Sequence, residues 1–121
     1  MKFRGVKVKN KKVRVKISGY NGKWNEIKEI SDKILGVSCS WPEGQLVFIL
    51  SRRGIIACGA IDAEVLDKFN FAVTVSEGTV EKPLVTPDDL LKAKVMKLTK
   101  KAKELGIKIG MSGKEALEKL V

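Results

Sequence analysis

At the start of the chain, cations alternate with β-branched residues, an arrangement suited to holding a polyanion. Lys7, Lys9, Lys12, Arg14 and Lys16 interleave with Val6, Val8, Val13, Val15 and Ile17. A two-residue turn at Asn10-Lys11 would pair Lys9 with Lys12, Lys7 with Arg14, Val8 with Val13 and Val6 with Val15. Period-2 strand geometry then puts every valine on one face and every cation on the other. Like charges directly opposed cost a sheet about 0.2–1 kcal/mol per pair. A fold gains nothing from stacking them, so an external polyanion is the natural reason to keep them. The competing account is a protected edge, because lysine also blunts exposed strands.

The pattern runs on into a third strand. Tyr20-Asn21-Gly22-Lys23 is a hairpin signal, since Asn-Gly supplies the positive φ angles of a type I′ turn. In that register Tyr20 pairs with Lys23 on the cationic side, Trp24 covers Gly19 on the apolar side, and Glu26 falls among the apolar residues. Lys7, Lys9, Lys12, Arg14, Lys16 and Lys23 would then meet phosphates, and Tyr20 would stack on a base or sugar. The expected partner is a structured RNA such as that of the ribosome. Lys97, Lys100, Lys101 and Lys108 could extend the contact from the helical end, although a solvated helix face also accounts for them.

Other chemistry is sparse. The chain has no histidine, which removes the commonest general base and metal ligand. Cys39 and Cys58 stand in apolar runs with no Cys-x-x-Cys or Cys/His cluster, so no metal and no cofactor are expected. Asp88 and Asp89 fit a helix start. Cys58 lies at a strand-to-helix turn, where a helix terminus can activate a thiol, but no histidine is there to act as base. The residues therefore weigh against an enzyme, and no catalytic set is assigned. One rival to RNA binding is a small enzyme or metabolite-binding module using Cys58, Asp62 and the Gly110–Gly113 turn. Another is a homodimeric interaction module that pairs through an exposed sheet edge.

Composition supports a localised partner. The 121 residues carry a net charge of +10. Residues 1–30 hold ten cations against two acids, residues 31–84 five against seven, and residues 85–121 nine against five. The charge is thus +8, −2 and +4 along the chain, which marks the first segment as the anion-facing one. With 44% apolar residues and three prolines the chain reads as one globular domain. Apolar runs are as short as Leu46–Leu50, so no membrane span is expected, and no apolar signal core follows Met1-Lys2. A cytoplasmic location is the expectation. Twenty lysines and one glutamine give a thermophile-like composition.

These residues need elements to position them. Residues 34–41 read as a strand stopped at Pro42-Glu43-Gly44, followed by strands at Gln45–Ser51 and Gly54–Cys58. Leu46–Leu50 is apolar without alternation, which predicts a strand covered on both faces. Asp62 caps a short helix to about Phe69, and Phe71–Ser76 alternates as another strand. Thr86-Pro87-Asp88-Asp89 opens a helix carrying Val95, Leu98, Ala102 and Leu105 up to Gly106, and Ser112-Gly113-Lys114-Glu115 opens a last one. In the Gly110–Gly113 turn, capping competes with anion holding. The fold class expected is α+β: a mixed, mostly antiparallel sheet with a short helix and a C-terminal helical pair packed on it.

The run Arg53-Gly54-Ile55-Ile56-Ala57-Cys58-Gly59-Ala60-Ile61-Asp62, with Ala102–Leu117 and the Thr86–Leu91 helix start, resembles the YunC-like family of uncharacterised proteins. The resemblance covers roughly residues 34–121 and implies a small cytoplasmic α+β domain without assigning it an activity. One domain, 1–121, is expected, with the basic meander at 1–30 as an addition to a core at 34–121. The stretch around Ser76–Lys82 also departs from the family pattern.

Overall fold

A computed structural model describes the backbone of residues 8–16, 24–31 and 33–121, with side chains for Ile30 and residues 33–121. It has an α+β fold. Seven strands form one sheet in sequential order: β1 (Val8–Lys16), β2 (Trp24–Ser31), β3 (Ile34–Trp41), β4 (Gly44–Leu50), β5 (Ile55–Cys58), β6 (Val73–Ser76) and β7 (Lys97–Leu98). All neighbours are antiparallel except β5 and β6, which α1 (Ala63–Asp67) joins as a parallel crossover. Three further helices follow: α2 (Pro87–Lys92), α3 (Lys100–Glu104) and α4 (Gly113–Leu120).

Val47, Ile49 and Ile56 point to one face, where Leu90 and Leu91 of α2 and Leu117 and Leu120 of α4 complete the main core. Both helices start with a capping box, Thr86 with Asp89 and Ser112 with Glu115, so their orphan N–H groups are met locally. Their contact is close. A side chain on Gly113 would collide with the Leu90 carbonyl, so only glycine lets α4 lie on α2 there. On the opposite face Ala63 of α1 packs with Val73 and Val75.

Four expectations need correction. First, there is no hairpin at Asn10-Lys11, because β1 runs straight through and pairs with β2. Val8 faces Ser31 and Lys11 faces Glu29, which leaves one extra residue on β1 as a bulge. A bulge reverses the alternation as a turn does, so Val8, Val13 and Val15 still share a side, and Lys11 escapes a positive-φ position that suits it poorly.

Second, Trp24 pairs in register with Lys16 and not, as expected, with Gly19. The register differs from the expected one by an odd number of residues, which exchanges the faces of β2. Glu26 now stands opposite Arg14, and Ile27 sits between Val13 and Val37. Charge and apolarity are both better matched this way. The turn itself, Tyr20–Lys23, lies outside the described residues.

Third, Leu46–Leu50 is central but fully covered on one side only. Val47 and Ile49 are buried, whereas Leu46, Phe48 and Leu50 are half-buried. Fourth, the helix expected from Pro87 to Leu105 is broken. Ala93 is extended, Lys94 bridges to Ser112, and the N–H groups of Val95, Met96 and Thr99 bond to the carbonyls of Met111, Val75 and Val73. Val95 and Ala102 are fully buried, and Leu98 and Leu105 half-buried, as their spacing implied, but the spacing reported a shared core and not a continuous helix.

Candidate anion-binding surfaces

The cationic strand occupies a sheet edge. Strand β1 is first in the strand order and β7 is last, so six strand spacings separate them. At roughly 4.8 Å per spacing the two edges stand about 29 Å apart. The expected extension of the N-terminal cations onto the C-terminal lysines is therefore not one continuous surface; these are two basic regions on opposite edges.

On β1 the register sets Lys12 opposite Lys28, Arg14 opposite Glu26 and Lys16 opposite Trp24, all on one face. Lys9 falls at the bulge. Lys7, Tyr20 and Lys23 lie outside the described residues. The like-charge pairings expected for Lys7–Arg14 and Lys9–Lys12 do not occur, and Lys11 faces Glu29. Two of the four cation positions on β1 that pair with β2 residues, Lys11 and Arg14, thus stand in register with acidic positions. One strand further in, Gly36 lies against Pro87, and the Ser38 hydroxyl donates to the Val85 carbonyl at 2.7 Å. The 85–87 segment therefore forms a wall beside the cation-bearing face of β1 and β2.

The second region is a cleft of about 790 Å³ between α1 and the β7–α3 segment. Lys97, Lys100, Lys103 and Lys108 line it, with Glu64 and Asp67 on the α1 side. Three of these lysines were expected near an anion. Lys101 does not line the cleft, and Lys103 was missed, although its i, i+3 spacing from Lys100 puts both on one helix side. The floor is held by Thr99, which is 1% exposed. Its hydroxyl donates to the Phe71 carbonyl at 2.6 Å and accepts the N–H groups of Val73 at 3.1 Å and Ala102 at 3.3 Å. Asp67 closes the far side by accepting the Lys100 N–H at 3.1 Å.

The geometry gives little to the Cys58 reading. Cys58 is 7% exposed, its sulfur accepts the Val47 N–H at 3.5 Å, and it does not line the cleft. Both cysteines are free. Alkylation of Cys58 at neutral pH is expected to stay slow until denaturant is added, while half-buried Cys39 reacts first; mass spectrometry of the labelled peptides distinguishes them. Asp62 is used as the α1 cap, accepting from the Glu64 and Val65 N–H groups.

In the Gly110–Gly113 turn every N–H is already taken. Gly110 donates to the Val95 carbonyl, Met111 to Lys108, Ser112 to the Glu115 carboxylate and Gly113 to Ala93. No donor remains there for an anion. Among the described residues no group of three or more His, Cys, Asp or Glu could hold a metal. No helix among them is long and apolar enough to cross a membrane.

One carboxylate is clearly perturbed. Asp89 accepts the Thr86 and Val85 N–H groups at 2.9 and 3.0 Å, and these bonds hold it below the ordinary carboxylate range, with Lys92 adding a smaller pull. A lowered folded value stabilises the fold above the unfolded carboxylate pKa, and that contribution disappears as pH falls through the folded value. The melting temperature is expected to fall between about pH 5 and pH 2, and Asp89→Asn should flatten that fall.

Comparison with known proteins fits this architecture. The crystal structure of a protein of unknown function, TA1206 from Thermoplasma acidophilum, superposes with a TM-score of 0.61 at 22% identity and covers all of both chains. The uncharacterized protein YunC of Bacillus subtilis (strain 168) is 36% identical over 86 residues, 70% of this chain and 83% of that one. Residues 57–120 match a domain of unknown function, DUF1805. The matched segment contains the lysine-lined cleft and leaves out the cationic strand. The chain belongs to the DUF1805 family.

Proposed function

We propose that the chain is a cytoplasmic RNA-binding protein whose partner, a structured RNA such as that of the ribosome, lies along the edge strand β1. The concentration of +8 of the net +10 charge within residues 1–30 carries this reading. Lys12, Arg14 and Lys16 supply phosphate contacts from one face, and Lys7, Lys9 and Lys23 add to them. The register favours Trp24 as a stacking residue beside Tyr20, because it stands opposite Lys16 on that same face. Carboxylates opposite Lys11 and Arg14 lower the net attraction without cancelling it. Sucrose-gradient fractionation of native extract tests the proposal. Co-migration with ribosomal subunits at low salt, lost at high salt, is expected; a small free species at low salt would contradict it.

A specific observation also favours self-association. Leu35 and Val37 pair with Leu50 and Phe48 on the face away from α2 and α4, and no described helix covers them. Leu35 is 38% exposed and the other three are half-buried. Apolar rows of this kind suit a second copy of the chain. Light scattering in high salt is expected to give a dimer mass that Leu35→Lys converts to a monomer mass. A monomer in the unmodified chain would remove this reading.

A further inference from the structure

We propose that the cleft between α1 and the β7–α3 segment binds a small organic phosphate, a phosphate monoester attached to an apolar body. The site lies within the matched family domain and some 29 Å, by the strand spacing, from β1. It is independent of the RNA reading.

Size is the first argument. At about 790 Å³ the cleft falls in the range of small-molecule sites, roughly 300–1,000 Å³. Charge is the second. Four lysines face two carboxylates, so the lining carries a formal surplus of two positive charges. Among the described residues none of the four ammonium groups is held in an ion pair. Asp67 is already engaged by the Lys100 N–H. A phosphate monoester carries about −1.5 to −2 charges near pH 7, which matches that surplus.

No arginine lines the cleft, so the planar fork that binds carboxylate or phosphate bidentately is missing. Lysine acts as a mobile point charge, and several of them can converge on the oxygens of one tetrahedral group. The apolar part of the lining sets the rest of the ligand. Leu98 and buried Ile107 form a wall, and Ile109 stands 60% exposed at the mouth. A wholly polar ligand would leave Ile109 in water, whereas an aliphatic or simple aromatic body would cover it. No aromatic side chain lines the cleft, so it offers a nucleobase nothing to stack on. That disfavours a nucleotide or an RNA strand there.

The walls are preorganised. Thr99 ties β6 to the first turn of α3, the Asp67–Lys100 bond ties α1 to the same turn, and the Ile107 N–H bonds back to the Ala102 carbonyl. The lysine stems thus project from a fixed frame, and only their ends must order on binding.

Calorimetric titration of the full chain with 1-naphthyl phosphate tests the proposal, with 1-naphthol and inorganic phosphate as the two half-ligands. Saturable binding with Kd below about 1 mM is expected, with each half-ligand at least roughly tenfold weaker. The exposed pair Lys100→Gln with Lys103→Gln should weaken the ester about tenfold or more, while glutamine at Lys12, Arg14 and Lys16 leaves it unchanged. Failure to saturate by 1 mM, equal binding of inorganic phosphate, or indifference to the cleft lysines would overturn the assignment. Melting curves of the lysine variants separate lost binding from lost folding. Because the β1 and cleft variants are scored against both ligands, failure here leaves the RNA reading standing, and the reverse also holds.

Discussion

Changing Lys12, Arg14 and Lys16 together to glutamate is expected to abolish RNA binding while the protein stays folded. The three positions share one face of an edge strand, so their removal takes away the centre of the proposed contact. The stability cost is small for a local reason. Glutamate at position 12 would oppose Lys28 and relieve a like-charge pair, whereas glutamate at position 14 would oppose Glu26 and create one. Each effect is worth about 0.2–1 kcal/mol, and they act in opposite directions. The melting temperature should therefore move by no more than about 4 °C. Trp24 provides an independent signal, since it stands opposite Lys16. Its fluorescence, read in a Trp41→Phe background, should be quenched by RNA and unaffected in the triple variant. A large drop in stability would mean that these cations hold the sheet together and do not face a partner.

Thr99→Val is the substitution expected to destabilise most. It keeps the shape of a buried side chain but deletes a hydroxyl that serves three backbone groups from two elements. The α3 cap is lost, and the Phe71 carbonyl and Val73 N–H lose their partner at a position that is 1% exposed. A lost cap costs about 1 kcal/mol and the orphaned buried Val73 N–H about 1–3 kcal/mol, the Phe71 carbonyl being only part-buried, so a loss of roughly 2–4 kcal/mol follows. For a chain of this length the melting temperature should fall by about 8–20 °C. Thr99→Ser retains the hydroxyl and should recover most of that loss. A valine variant that melts within a few degrees of the parent would show that packing, and not these bonds, secures the cleft floor.

Local chemistry made much of the fold legible. Pro42-Glu43-Gly44 and Arg52-Arg53-Gly54 are turn-forming runs, and β3 ends, β4 begins and β5 begins where those breaks place them. Asp62, Thr86 and Ser112 cap the helices they were expected to cap. What misled was any pattern that two geometries satisfy equally. The odd spacing between Val8 and Val13 requires one reversal of alternation, and a turn or a bulge meets it alike. Val95, Leu98 and Ala102 face one core whether the backbone between them is helical or extended, and here the carbonyls of β6 and Met111 draw it into extended pairing. The cleft was not legible because it depends on Asp67 meeting Lys100, residues 33 apart in the chain, and no local rule joins them.

The salt dependence of RNA affinity tests the central claim most directly. If five or six cations meet phosphates, log K should fall against log salt with a slope of about −4 to −5, from roughly 0.7–0.9 per contact. Between 50 and 200 mM salt that is a loss of about 250- to 1,000-fold. Glutamine at Lys12, Arg14 and Lys16 should reduce the slope by about 2–3 units. A flat dependence, or an unchanged slope in that variant, would contradict phosphate recognition by the edge strand.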